Sequence, residues 1–178
     1  DADCIVILDD DCRAVGRWDS QNDIKFSQDE LLEFCESSAI LCDELGYKFW
    51  GVNCITDKGA YREYTPFGFL QYIGGPFQAH LKDSEIRYDE NLPLKEDYDI
   101  TLQHTQRYGG CLRVNYAHYQ VKQAEQTGGC ASIRNLQKEK QQFFALQNKW
   151  GKDIVVRDKG SKRTFDFNPI IKVPIKGV

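Results

Sequence analysis

The first regular pattern in the chain is a short apolar run, CIVIL at residues 4–8, rich in β-branched side chains and stopped by Asp9, Asp10 and Asp11. A run of that length and make-up predicts a buried strand. The rhythm then becomes helical. Leu31, Phe34, Cys35, Leu41, Cys42 and Leu45 recur at helical spacing, Ser27 and Glu30 form an S-x-x-E capping box ahead of them, and Gly46 supplies a stop. A second buried strand is expected over residues 49–55. Strand, helix, strand predicts an α/β chain with a mainly parallel sheet.

Residues 57–80 are rich in glycine, aromatic side chains and turn formers, including Gly68, Gly74, Gly75 and Pro76. They read as loops around an edge strand at 69–73. A helix is expected to open just after Pro93 and to run to Tyr108, closed by Gly109 and Gly110, with a strand at 111–115. Residues 123–129 are polar, end in Gly-Gly and read as a mobile loop. Leu136, Phe143, Leu146 and Trp150 share one side of a last helix, and short strands are expected at 154–156 and 170–175. The expected organisation is a core over 1–156 and a C-terminal extension with a short strand over 157–178.

Composition narrows the class. The 178 residues suit one domain, or one and part of another, and 41% are hydrophobic. No apolar run approaches the roughly 20 residues that span a bilayer, so no membrane partner is expected. A net charge of -4 argues against a broad basic surface for non-specific nucleic-acid binding, although residues 138–163 are richer in Lys and Arg than the rest. The seven cysteines are odd in number and lack a C-x-x-C pair, which suits reduced thiols in a cytoplasmic protein better than a disulfide framework or a zinc site. The chain opens on Asp and contains no Met, as a fragment or a processed chain would.

Chemistry concentrates at two acidic places. Carboxylates at the carboxyl end of a parallel strand sit where open α/β sheets bind ligands. Three adjacent aspartates repel one another and call for a cation, a basic partner or solvent. Hard oxygen ligands suit Mg2+ or Mn2+. In an extended segment Asp9 and Asp11 point the same way, so they can share one cation while Asp10 faces elsewhere. The other place is residues 87–99, where Glu96 and Asp97 fall in a first helical turn. The macrodipole favours negative charge there, and an ionised carboxylate can act as general base.

Together these landmarks resemble the GT-A fold glycosyltransferases, close to the inverting group known as family 2. ILDDD resembles the D-x-D end of the central strand, and YDENLPLKEDYDITL the later acidic helix start that carries the catalytic base. YAHY follows a strand where such enzymes place a metal-binding His, and FFALQNKWG resembles an aromatic-bearing helix ending in Lys-Trp-Gly. The YDE-LP-KEDYD and GGCASIRN segments look most like phage glycosyltransferases encoded beside DNA base-oxidising dioxygenases. The landmarks span residues 4–151.

The resemblance implies a GT-A-like mixed, mainly parallel sheet flanked by helices and an inverting, hexosyltransferase-type activity. The implied donor is a nucleoside diphosphate sugar. The implied acceptor is a hydroxyl, a hydroxymethylated pyrimidine in DNA being one such group, and the implied setting is the host cytoplasm if the chain is phage-encoded. Asp9 and Asp10 would contact donor, Asp9, Asp11 and His118 would hold Mn2+ or Mg2+, and Asp97, or else Glu96, would be the base. Arg134 would neutralise the departing diphosphate. The two acidic patches are expected across one cleft. One departure is plain: such enzymes carry a nucleotide-binding half before the D-x-D strand, and this chain opens a few residues ahead of it. Two other readings stay open. One is a phosphohydrolase of the haloacid-dehalogenase type, although Arg13 stands where that pattern wants a small hydroxyl residue. The other is a non-catalytic binding module on the same fold.

Overall fold

A computed structural model describes residues 3–19, 22–57, 61, 64–121, 135–158 and 167–173. The chain divides into two compact units: Asp1–Ile86 with Thr101–Gln123, and Arg87–Ile100 with Ala124–Val178. The units do not follow the expected boundary at 156/157. That position falls inside a strand, Val155–Arg157, whose pairing with Pro169–Ile171 joins the two sides of it.

The first unit is built on a curled, mixed sheet. Its strands are β1 (Cys4–Leu8), β2 (Cys12–Asp19), β3 (Asn22–Lys25), β4 (Phe49–Asn53), β5 (Phe67–Gly68), β6 (Phe77–Leu81) and β7 (Leu112–Val121), in the order β1-β6-β4-β7-β2-β3, with β5 added against β7. Among the described strands only β4 and β7 pair in parallel. The expectation of a mixed, mainly parallel sheet is therefore corrected: the sheet is mixed, and antiparallel pairings prevail among the described strands. The strand–helix–strand reading was right about direction, since β1 and β4 both run antiparallel to β6. The two strands are not neighbours, because β6 lies between them. The 69–73 edge strand is likewise replaced by the two-residue β5, and the β2–β3 pair was not anticipated.

Helix α1 (Gln28–Glu44) lies where the capping box placed it. Ser27 accepts from the Glu30 amide, and Glu30 accepts from the Ser27 amide. Its Phe34 and Cys42 join Trp50, Val52, Phe77, Ala79, Leu112 and Val114 in the core. All five residues of β4 are buried, because α1 covers the Trp50 side while Phe49, on the other side, stacks on His104 of α2 (Glu96–Tyr108). Cover on both faces is why this strand reads as a continuous apolar run.

Strand β1 differs. The expected buried strand is an edge strand, with Ile5 61% exposed and Val6, Ile7 and Leu8 also exposed, and its one partner among the described strands is β6. From Leu8 to Cys12 the chain can span at most about 14 Å, whereas four flat interstrand steps from β1 to β2 would need about 19 Å. The sheet must curl to allow that link.

The second unit contains the start of α2, the helix α3 (Leu136–Trp150) and the antiparallel pair β8 (Val155–Arg157) and β9 (Pro169–Ile171). Asn135 caps α3 by accepting from the Lys138 amide, and Phe143 and Leu146 are its buried apolar residues. The loop expected at 123–129 lies outside the described residues.

Candidate functional site

Asp9, Asp10 and Asp11 form a tight turn rather than an extended segment, since the Cys12 amide donates to the Asp9 carbonyl at 3.0 Å. The Asp9 amide donates to Pro76 O at 3.3 Å, which ties the turn to the chain entering β6. The turn brings the carboxylates near one another, so the reason first expected for their proximity is replaced. Burial raises the Asp9 pKa above its ordinary value, and the charges of Asp11 and Asp10 raise it further. The Oδ1 atom of Asp11 is buried and has no hydrogen-bond partner among the described residues. Because β1, β4 and β7 run in one direction, the turn lies at the end of the sheet where these three strands have their carboxyl ends.

His118 is held elsewhere. It lies on β7 opposite Gly16 of β2, nearly wholly buried, with Nε2 3.0 Å from Asp23 Oδ1 on β3. Gln120 donates to the other Asp23 oxygen at 2.6 Å, and Trp18 packs against the His118 ring. Gly16 permits this approach: a Cβ there would lie 2.6 Å from Ile24 O and 3.3 Å from Asp23 Oδ1. Among the described residues no group of three or more His, Cys, Asp or Glu side chains is placed to hold a metal ion together. His118, which the resemblance cast as third ligand beside Asp9 and Asp11, has its Nε2 on Asp23, a partner no local pattern announced.

In the second unit, Glu96 and Asp97 occupy the first turn of α2, as the sequence led us to expect, and both are partly exposed. The Asp97 Oδ1 atom accepts from the Tyr98 amide at 2.9 Å. Beside them lies a network that sequence reading missed. Asp99 is wholly buried and accepts from Trp150 Nε1 at 2.7 Å and Lys149 Nζ at 3.0 Å. Lys149 also donates to Asp89 at 2.7 Å. That bond, with further bonds from Asn91, brings the Asp89 carboxyl down to about 2. Burial works to lower the Lys149 ammonium, yet its hydrogen bonds to Asp89 and Asp99 outweigh this and hold it above its ordinary value. Lys95 and Glu139 form a buried pair at 2.6 Å. The signal available in the sequence was the Lys-Trp pair at the end of α3, two adjacent donors with no local acceptor. Trp150 is thus a partly buried anchor.

Arg134 and the Gly128–Gly129 pair lie outside the described residues. His104 is a buried packing residue, stacked between Phe49 and Tyr108. The described cysteines, Cys4, Cys12, Cys35, Cys42, Cys54 and Cys111, are free thiols, and burial pushes those of Cys42 and Cys111 up to about 12. Among the described residues no helix is long and apolar enough to cross a membrane. Comparison with protein-family models, curated proteins and solved structures yields no match to this chain.

Proposed function

We propose that this chain is the catalytic core of a GT-A-like, metal-dependent glycosyltransferase that moves a sugar from a nucleoside diphosphate sugar to an acceptor hydroxyl. A hydroxymethylated pyrimidine in DNA is the acceptor class the sequence resemblance favours. The observation that carries the proposal is the aspartate turn. Its carboxylates crowd together at the carboxyl ends of β1, β4 and β7, and a buried Asp11 oxygen lacks a partner among the described residues. An unpartnered buried carboxylate oxygen is costly unless something positive meets it.

The donor set fits Mg2+ or Mn2+, which bind through one or two carboxylates and complete their shell with water and substrate phosphates. Asp9 and Asp11 would hold the ion, and Asp9 and Asp10 would contact the donor. When bound, the ion supplies Lewis-acid stabilisation of the leaving diphosphate. Asp97 is the proposed base, taking the proton from the acceptor hydroxyl, and one direct displacement by that oxygen would invert the sugar carbon. Arg134 is the proposed cation for the leaving group. Glu96 is the alternative base.

The test is a transfer assay with nucleoside diphosphate sugars and hydroxymethylated DNA, with and without Mn2+. Asp11→Ala is expected to abolish Mn2+-dependent transfer and the thermal shift from donor plus Mn2+, while keeping the fold. Asp97→Asn should keep that shift and lose about 100-fold or more in rate. Retained turnover in Asp11→Ala would refute the metal assignment, and an unchanged rate in Asp97→Asn would remove its role. Phosphate release from simple esters would point to the phosphohydrolase instead. Binding of DNA without turnover would point to a binding module.

A further inference from the structure

Glu96 and Asp97 sit between a buried ion pair and a second pair in which only the carboxylate is buried, and both pairs reach the same helix. On the N-terminal side Lys95, 1% exposed, places Nζ 2.6 Å from Glu139 Oε2 in the first turn of α3. On the C-terminal side the wholly buried Asp99 takes Lys149 Nζ at 3.0 Å and Trp150 Nε1 at 2.7 Å, in the last turn of α3. Gln142, midway along α3, donates to the Asn91 carbonyl at 3.0 Å and accepts from the Leu94 amide at 3.4 Å. Every bond in this set lies within the second unit.

Buried ion pairs seldom stabilise a fold better than apolar residues of the same shape, because each charge must be desolvated. They do fix direction, since the bonds tolerate little change in distance or angle. Residues two apart on a helix point about 200° apart. With Asp99 drawn to the end of α3, Asp97 is turned to the opposite side of α2. We infer that the Lys95–Glu139 pair and the Asp99–Lys149–Trp150 cluster are positioning residues that hold the Asp97 carboxylate in a fixed orientation. The consequence for catalysis rests on the glycosyltransferase reading.

The experiment compares Lys149→Met, Lys149→Arg and the double variant Asp99→Asn/Lys149→Met, which leaves no unpaired buried charge. Transfer kinetics and amide exchange at residues 97–100 are measured in each. In both Met variants kcat should fall about tenfold or more while the donor KM stays within about threefold, as expected when a catalytic group is misplaced. The acid limb of the kcat–pH profile should move, and amide exchange in that turn should quicken. Lys149→Arg should recover most of the rate and the slow exchange. Unchanged kcat and exchange in both Met variants would overturn the positioning role, as would a loss of rate carried wholly by donor KM. Absence of sugar transfer by the unaltered chain would overturn the functional reading instead. Amide exchange would still show whether the cluster orients the turn.

Discussion

Buried polar side chains fall into those with partners and those without, and His104 belongs to the second kind. Its ring stacks on Phe49 at 4.7 Å with 19° between planes, and neither ring nitrogen has a hydrogen-bond partner among the described residues. Burial, with a smaller contribution from the neighbouring charge of His80, lowers its pKa to about 3. The unfolded chain, with an ordinary His, binds the proton first. Stability from this residue is therefore complete above about pH 6.5 and declines as pH falls toward 3. His104→Phe should flatten that decline, which amounts to on the order of 5 kcal/mol, and urea unfolding at a series of pH values would show it. An equally steep decline in the variant would assign the acid sensitivity to other groups.

Among the elements, α1 shows how far local pattern reaches. Capping box, apolar stripe and stop are all within a few residues of one another, and the helix begins at Gln28 and gives way to Gly46 with φ of 78°. Ser27→Ala should cost about 1 kcal/mol in chemical denaturation, with little change in the cooperativity of unfolding. Strand β6 shows where the same reasoning slipped. FQAHL alternates with the period of a strand, with Phe77, Ala79 and Leu81 in the core, yet Gly74, Gly75 and Pro76 directly before it read as loop. Strand β1 slipped in another way. Its apolar run gave the element correctly, but a run of that kind carries no information about how many neighbours the strand will have.

At the scale of the first unit, Trp50 ties the layers together. It is wholly buried, meets Phe34 of α1 edge-on at 5.9 Å and lies 5.4 Å from Phe77 of β6. Trp50→Ala should cost about 3–5 kcal/mol in that unit, read as a lowered denaturation midpoint, and a loss below 1 kcal/mol would mean the site had collapsed around the void.

By itself the sequence determined the helices, the capping box of α1, the glycine stops of α1 and α2, the whole of β4 and the start of β7, and the two acidic clusters as candidate chemistry. Each depends on side chains within a turn or two of one another, where periodicity and backbone sterics suffice. Only the tertiary structure decided that β6 lies between β1 and β4, that the three aspartates form a turn, and that His118 meets Asp23, 95 residues away. It also decided that Lys149 meets Asp99, 50 residues away. The two long-range pairs turn on which distant polar groups lose water together and find good geometry, a competition that no local run of residues encodes.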